Sequence, residues 1–264
     1  MTGALAPAFA DRLHEDGLAV LSPVDAGEVL EQYRSAGLRA ACCMLDPWYN
    51  KGVGGTRDDY VEYIAGLLQQ AGAVADHVYL WGFPEIVARF VDLVPAGMQL
   101  TAWLTWFYKN NPSVIRGWRS AQMACLHLSW PGARLYPEHF LNEAQLEKQR
   151  EGKLRYIPGP TSVIEEPLLV GFVGRREQTG HPAQKPVAVF DKLLRMVTET
   201  GDLVIDPMCG SGTTGAAAHA SGRLAILSDV DSSYVSLVEQ RLHVKRIPPN
   251  GLLGGPQIGR TMDA

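Results

Sequence analysis

The sequence lacks the features that mark membrane, secreted or zinc-binding proteins. It contains only four cysteines, Cys42, Cys43, Cys125 and Cys209, and no C-x-x-C pair. This spacing favours neither a zinc site nor a disulfide framework. No apolar run approaches membrane-spanning length, and residues 1–18 lack the basic start and long apolar run of a signal peptide. We therefore expect a cytoplasmic protein with neither a bound metal nor a membrane partner.

A basic excess, the usual sign of nucleic-acid binding, is also missing, since the formal net charge is −4. The charge is nevertheless uneven. Residues 1–100 carry 6 basic and 13 acidic side chains, a net of −7, whereas residues 101–160 carry 8 basic and 4 acidic, a net of +4. A basic middle permits a phosphate-contacting face. An ordinary solvated surface explains the pattern equally well.

The first stretch that suggests chemistry is Asp46-Pro47-Trp48-Tyr49, directly after an apolar run at residues 40–45. Such a run, ending at a proline turn, predicts a buried strand whose carboxyl end carries functional groups. Asp46 and the Pro47 carbonyl can accept two N–H bonds from an exocyclic amino group while Tyr49 stacks on its ring. Trp48 adds a stacking face or shapes the rim. Taken alone, an Asp-Pro-aromatic sequence is more often a simple turn.

A second stretch, residues 206–214, follows a predicted strand at 203–205. Its Gly210-Ser211-Gly212 turn allows close backbone approach to a ligand, and a helix predicted to begin near Thr213 directs its positive end at an anion. Asp229 follows the next predicted strand, 17 residues beyond Gly212, where an acid can bind a ribose diol. A dinucleotide-binding dehydrogenase also fits a glycine turn followed by an acid.

Together the two stretches resemble the β class of S-adenosylmethionine-dependent DNA amino methyltransferases, in which Asp-Pro-Pro-Tyr comes early and the cofactor loop late. The resemblance covers residues 17–122 and 181–241 and favours this family over a dehydrogenase. It implies an α/β fold, a doubly wound, mostly parallel, seven-stranded Rossmann-like methyltransferase sheet with helices on both faces and a closing antiparallel hairpin. The chain departs from the family at Trp48, where a second proline is usual, and at Met208, where phenylalanine is usual.

The resemblance implies that the chain binds S-adenosylmethionine and methylates the exocyclic amino group of a base extruded from duplex DNA. The implied catalytic residues are Asp46, Pro47, Trp48 and Tyr49. The implied cofactor contacts are Asp25, His181, Gln184, Lys185, Asp206, Pro207, Met208, Cys209, Gly210, Ser211, Gly212, Thr213, Thr214 and Asp229. The expected nucleic-acid contacts are Lys51, Arg57, Lys109, Asn110, Arg116 and Arg119. Asp25 is also a candidate helix N-cap, a role compatible with cofactor contact.

The resemblance leaves the substrate open. Aspartate rather than serine at position 46 favours adenine N6 over cytosine N4. Methylation of RNA or a small amine, and a catalytically silent nucleic-acid-binding subunit, are further alternatives.

The same comparison divides the chain into a catalytic part at 1–127, a target-recognition insertion at 128–180, a cofactor-binding part at 181–247 and a flexible tail at 248–264. Within the insertion we expect a polar helix at 137–150 and a strand at 168–173. Because the insertion is short, either a second copy of the chain completes the recognition surface or the sequence requirement is modest.

Overall fold

The computed structural model of the chain describes residues 13, 16–51, 55–112 and 117–249, and these residues form one mixed sheet. Its strands are β1 (Leu18–Leu21), β2 (Ala40–Leu45), β3 (Ala75–Gly82), β4 (Gln99–Phe107), β5 (Gln122–Ser129), β6 (Val163–Glu165), β7 (Leu203–Asp206), β8 (Leu224–Leu227) and β9 (Arg246–Ile247). They lie in the order β6-β4-β5-β3-β2-β7-β8-β1-β9.

Most neighbouring strands in the sheet are parallel. β2 pairs in parallel with β3 and β7, β8 pairs in parallel with β7 and β1, and β5 is antiparallel to both β3 and β4. The expected parallel sheet with a closing antiparallel hairpin is confirmed. The described chain has nine strands rather than seven because β6 and β9, of three and two residues, extend the two edges. Runs this short carry no readable period-two pattern.

Helices cover both faces of the sheet. They are α1 (Ala26–Ser35), α2 (Tyr60–Val74), α3 (Pro84–Val87), α4 (Glu143–Arg150), α5 (Val187–Val197), α6 (Thr213–Ala220) and α7 (Ser232–Leu242), with 3₁₀ turns at Ala88–Phe90 and Pro137–Phe140. In β2, Cys43 and Leu45 join the core under α1 and α2, whereas Cys42 and Met44 join the core under α5, α6 and α7. No helix within the described ranges is long and apolar enough to cross a membrane.

Local sequence explains where two helices begin. The Asp25 carboxylate accepts from the backbone N–H groups of Gly27 at 2.8 Å and Glu28 at 3.3 Å, so the predicted N-cap of α1 is confirmed. Asn142 and Gln145 form a reciprocal capping box, which starts α4 at Glu143. The single helix expected at 137–150 is therefore wrong, since a 3₁₀ turn and a separate helix share that stretch.

Other expectations for the second half of the chain need correction. The strand predicted at 168–173 is wrong, because residues 168–170 are irregular and residues 171–173 lie in a turn. Leu168 is partly buried against the core, whereas Phe172 is 88% exposed. The predicted insertion at 128–180 contains one 3₁₀ turn, α4 and β6, and its role stays a prediction. The predicted tail lies outside the described residues from position 250 onward.

The sheet topology brings the two stretches of interest together. β2 and β7 are adjacent, with Cys43 opposite Ile205. From β2 the chain continues to β3 on one side of this pair. From β7 it continues to β8 on the other side, next to β1. Such a switch point leaves a crevice at the carboxyl ends of the strands. Asp46 and Asp206 both lie at that edge.

Packing of α2 against the sheet provides a test of the core. Leu68 is fully buried there, at 0% exposure. We expect Leu68→Ala to lower the free energy of unfolding by about 2–5 kcal/mol, because it removes buried methyl groups and leaves a cavity. The exposed Leu93 is the matched control, and Leu93→Ala should change stability by only about 0.5 kcal/mol. Urea denaturation measures both, and equal losses would contradict this view of the core.

Candidate active site

A cavity of about 670 Å³ opens at the switch point between β2 and β7. Its lining includes most of the residues expected to act in catalysis or cofactor binding: Asp46, Pro47, Trp48, Tyr49, Asp25, His181, Lys185, Asp206, Pro207, Met208, Cys209, Gly210, Ser211, Thr213, Thr214 and Asp229. The two remote stretches therefore face one open space, and packed side chains do not fill the gap between them.

Lys185 contacts the Asp46 tetrapeptide. Its Nζ donates a hydrogen bond to Asp46 Oδ2 and a second to the Tyr49 hydroxyl at 3.0 Å. Burial lowers the pKa of this ammonium, but the Asp46 charge and Tyr49 outweigh burial and raise the pKa above its usual value. Asp46 Oδ1 is also buried and has no hydrogen-bond partner among the described residues. One carboxylate oxygen is therefore held and the other is left as a desolvated acceptor.

Aromatic rings form a wall beside Asp46. The Tyr49 ring packs against Phe83 with centroids 4.7 Å apart, and burial raises the pKa of the Tyr49 hydroxyl to about 12. Trp48 packs edge-on against Tyr60 at 5.3 Å, and its backbone carbonyl accepts from the Tyr60 hydroxyl at 2.7 Å. The buried Trp48 Nε1 has no partner within the described chain. These rings provide flat apolar surface next to the carboxylate.

Asp206 organises the glycine-rich loop from beneath. Its carboxyl group accepts from Met208 N at 3.1 Å and from the Thr214 hydroxyl. Burial raises the pKa of Asp206 to about 7, although both hydrogen bonds oppose that shift. Gly210 has a φ of +48°, and a Cβ there would lie 3.0 Å from His181 Nε2. Only glycine leaves this part of the cavity open and adopts that backbone conformation without strain.

Acidic side chains in the loops that follow β1 and β8 also line the cavity. Asp229 accepts from Gly210 N at 2.9 Å and from Asp231 N at 3.0 Å, so it connects the glycine loop to the end of β8. Asp25, besides capping α1, accepts from the Tyr63 hydroxyl at 3.2 Å. Each carboxylate oxygen has more than one lone pair, so these contacts leave capacity for further donors.

Two expected cofactor contacts do not line the cavity. Gln184 instead uses its side-chain amide within the preceding loop, accepting from Thr179 N at 2.8 Å and donating to Glu177 O at 2.8 Å. Gly212, with a φ of +75°, sits beneath the loop where a Cβ would meet Val238 at 3.0 Å. Gln184 and Gly212 thus shape the site from outside the cavity.

The His181 ring does line the cavity. It packs against Tyr234 with centroids 4.5 Å apart, and its Nδ1 accepts from Ala183 N at 3.2 Å. Burial lowers the pKa of the imidazole. The ring is therefore held in one orientation next to Gly210.

The cations expected to contact nucleic acid are mostly paired at the surface. The ion pairs are Lys51 with Glu85 at 2.6 Å, Arg57 with Asp59 at 2.8 Å, and Lys109 with Glu165 at 2.5 Å. Lys51 also lines the cavity. Exposed pairs of this kind are screened by water and add little to stability. Phosphate groups can therefore compete for the same cations.

The remaining expected nucleic-acid contacts differ in their surroundings. The Asn110 side chain is tied to the backbone of Leu168, donating to its carbonyl at 2.9 Å and accepting from its N–H at 2.8 Å. Arg119 is exposed, and its guanidinium donates a long hydrogen bond to Lys109 O at 3.5 Å. Arg116 lies outside the described residues.

Sequence reasoning missed several residues of the site. Phe83 follows the end of β3 at the same sheet edge as Asp46, so its position just after the apolar run at 78–81 was a usable signal. Arg241, on α7, donates to Ser211 O at 2.8 Å and to Thr213 Oγ1 at 3.2 Å. Nothing local in the sequence links Arg241 to that loop. Among the residues the structure describes, no group of His, Cys, Asp or Glu is arranged to hold a metal ion.

Comparison with known proteins places the chain among DNA-modifying enzymes. A family model described as DNA methylase matches residues 46–240. The type II methyltransferase M.HpaI of Haemophilus parainfluenzae is 24% identical over 215 residues, covering 75% of this chain and 67% of that protein. The DNA adenine methyltransferase YhdJ of Escherichia coli K12 is 43% identical over 68 residues, but that alignment covers only 26% of this chain and 23% of YhdJ.

Two solved structures share the fold. The complex of M1.HpyAVI with SAM aligns with a TM-score of 0.66 at 19% identity, covering 86% of this chain and all of that one. The PvuII DNA methyltransferase, described as cytosine-N4-specific, aligns with a TM-score of 0.62 at 18% identity, covering 96% and 94% of the two chains. At this identity the likeness shows the architecture of the sheet and helices.

Asp206 gives the site a testable pH dependence. Burial raises its pKa to about 7 in the folded chain from the ordinary aspartate value of 3.8, so between these pH values the folded state keeps a proton that the unfolded chain has lost. The contribution of this group to stability therefore falls as pH rises through that window. We expect the free energy of unfolding, taken relative to Asp206→Asn, to fall by about 2–4 kcal/mol from pH 4 to pH 7. Urea titrations would contradict this if the difference stayed level.

Proposed function

The chain belongs to the DNA methylase family of N6 and N4 amino methyltransferases, and we propose that it methylates the exocyclic amino group of a base in duplex DNA, with adenine N6 as the favoured target and S-adenosylmethionine as the methyl donor. The observation that carries this proposal is the shared cavity. Asp46, with its partnerless buried Oδ1, and the Gly210 loop line the same space.

The residues present fit the proposed donor. The cavity lies in the size range of cofactor sites, and glycine at 210 leaves open a cradle that a Cβ would narrow. The start of α6 would face the methionine carboxylate. Asp229 and Asp25 would accept from ribose or adenine N–H and O–H groups, and the acid-rich lining complements a positive sulfonium centre. His181 would hold the methionine end.

The amino group of a base is a poor nucleophile because its lone pair is delocalised into the ring. Asp46 Oδ1 and the Pro47 carbonyl would accept its two N–H bonds and favour a pyramidal nitrogen with a directed lone pair. When bound, S-adenosylmethionine would supply the methyl group. The amino nitrogen would form the new N–C bond as the C–S bond breaks, leaving a neutral thioether, and the surplus proton of the nitrogen would be released to bulk water. The protein accelerates this exchange mainly by alignment and by charge placement.

The target base must leave the duplex to reach Asp46. Extrusion costs about a few kcal/mol of lost stacking and pairing. The Tyr49 ring, backed by Phe83, offers a stacking surface that offsets part of this cost. The surface cations Lys51, Arg57 and Lys109 would hold flanking phosphates by exchanging their carboxylate partners for the DNA backbone.

Adenine is favoured over cytosine for two reasons. Asp46 stands where the family carries aspartate more often in adenine N6 enzymes and serine more often in cytosine N4 enzymes. A relative that is 43% identical over its aligned segment is described as a DNA adenine methyltransferase.

The function is tested by incubating the purified protein with unmethylated duplex DNA and S-adenosylmethionine carrying a labelled methyl group. We expect label in the DNA, and N6-methyladenine in the nucleosides identified by mass analysis. Asp46→Ala should abolish transfer while leaving donor binding measurable by calorimetry, because Asp46 contacts the target amino group. Asp92→Ala, at an exposed site away from the cavity lining, is the control and should transfer normally.

Other outcomes of the same experiment select the alternatives. N4-methylcytosine among the nucleosides would show that the target is cytosine N4 and not adenine N6. Label in RNA but not in any DNA would indicate an RNA methyltransferase. Donor and DNA binding without transfer to either would indicate a catalytically silent subunit.

The donor site is tested separately at Asp229. Replacing it with alanine should weaken donor affinity several-fold, because the loss removes a ribose acceptor and also releases the N–H groups of Gly210 and Asp231. Isothermal calorimetry measures the dissociation constant without DNA. An unchanged constant in Asp229→Ala would mean that the donor lies elsewhere.

A further inference from the structure

We propose that Lys185 is a positioning residue for the catalytic carboxylate, holding one oxygen of Asp46 so that the other is the acceptor presented to the target amino group. This inference rests on the proposed function and deepens it. It also moves Lys185 away from the cofactor contact that its sequence context suggests.

The contacts of the Lys185 ammonium are directed at the tetrapeptide. Nζ donates to Asp46 Oδ2 and to the Tyr49 hydroxyl at 3.0 Å. It also lies 5.5 Å from the ring centroid of Tyr49 and 5.5 Å from that of Trp81. The side chain is 1% exposed. A cation enclosed by one carboxylate, one hydroxyl and two aromatic faces has few other orientations available.

The Lys185–Asp46 ion pair also balances charge within the pocket. A buried carboxylate without a counter-charge is strongly destabilised, and the Asp46 side chain is only 20% exposed. The other titratable groups that interact electrostatically with Asp46 or Lys185 are Tyr49, Tyr60, Cys125, His181 and Asp206. Lys185 is the only lysine or arginine in this described set, so it supplies the counter-charge for the Asp46 carboxylate.

The position of the pair assigns different roles to the two Asp46 oxygens. Oδ2 is occupied by a strong charge-assisted hydrogen bond, and Oδ1 is buried without a protein partner in the described chain. Leaving such an acceptor unpaired is unfavourable, and a donor on the substrate relieves that cost. Asp46 is therefore suited to orienting the amino group by accepting a hydrogen bond.

The two roles for Lys185 predict different kinetics. A lysine that binds the methionine end of the donor would raise the dissociation constant of S-adenosylmethionine when it is removed. A lysine that positions Asp46 would lower the rate of methyl transfer and leave donor affinity nearly unchanged.

The experiment compares wild type, Lys185→Met and Lys185→Arg. Wild-type transfer to DNA is measured first, so failure of the proposed function is seen before any variant is interpreted. For Lys185→Met we expect a single-turnover rate about 100-fold lower or more, as for other misplaced catalytic groups. Donor affinity by calorimetry should stay within about twofold. Lys185→Arg, which keeps the charge and the N–H donors, should retain more of the wild-type rate.

The matched control is Lys192→Met on α5, because Lys192 forms a partly exposed pair with Glu166 at 2.9 Å. It should keep the wild-type rate. If Lys185→Met keeps that rate too, or if its main effect is a large loss of donor affinity, the inference is overturned.

A stability measurement without donor or DNA provides an independent readout. Asp46→Asn and Lys185→Met each break the pair, whereas the double variant removes both charges. We expect the double variant to melt at a higher temperature than the sum of the two single losses predicts. Strictly additive losses would show that the pair is not energetically coupled and would contradict the inference.

Discussion

Backbone pairing between β2 and β7 is the constraint on which the site depends. These strands are adjacent in the sheet although they lie far apart in the sequence. Because both run in the same direction, the loops that follow them leave at the same edge, and the turn at Asp46 meets the turn at Asp206. Because helices on both faces bury the strands, the residues at which the loops leave the strands are fixed in position. Everything proposed for the cavity follows from this one adjacency.

The two buried carboxyl groups at this edge of the sheet differ in their partners. The Asp46 carboxylate is paired with Lys185, an almost inaccessible ammonium. Asp206, also buried, has only neutral hydrogen-bond donors, and its pKa is raised to about 7. The two aspartates have similar local sequences, since each precedes a proline at the end of a strand. Their surroundings nevertheless give the two carboxyl groups different chemistry. One suits contact with a reacting group, and the other suits support of a loop.

Aromatic packing accommodates Trp48, the residue at which the tetrapeptide departs from the family pattern. Trp48, in place of a second proline, fits between Tyr60 and Tyr63 while still lining the cavity. Its backbone carbonyl is held by the Tyr60 hydroxyl, which fixes the tetrapeptide in the absence of a second rigid proline ring. Arg241 supports the other side by anchoring the loop carbonyl of Ser211. The site thus rests on contacts from α2 and α7 as well as on its own loops.

Local sequence was sufficient for elements whose cause is local. The apolar run into Asp46, the cap at Asp25 and the glycine turn before Thr213 were predictable, because strand burial, capping and positive φ depend on neighbouring residues. The same reasoning was wrong at 168–173, where apolar residues form irregular structure and a turn, and it did not detect β6 or β9. Those edge strands form only because a partner strand is already in place.

The sequence by itself determined the fold class, the two loops and most of the residues that line the cavity. The tertiary structure alone decided that Lys185 faces Asp46 and that Gln184 stays within its own loop. It also brought Phe83 and Arg241 to the site. The physical reason is that side-chain partners across a sheet are set by strand order and helix packing. Residues far apart in the chain carry no local signal of which one they will meet.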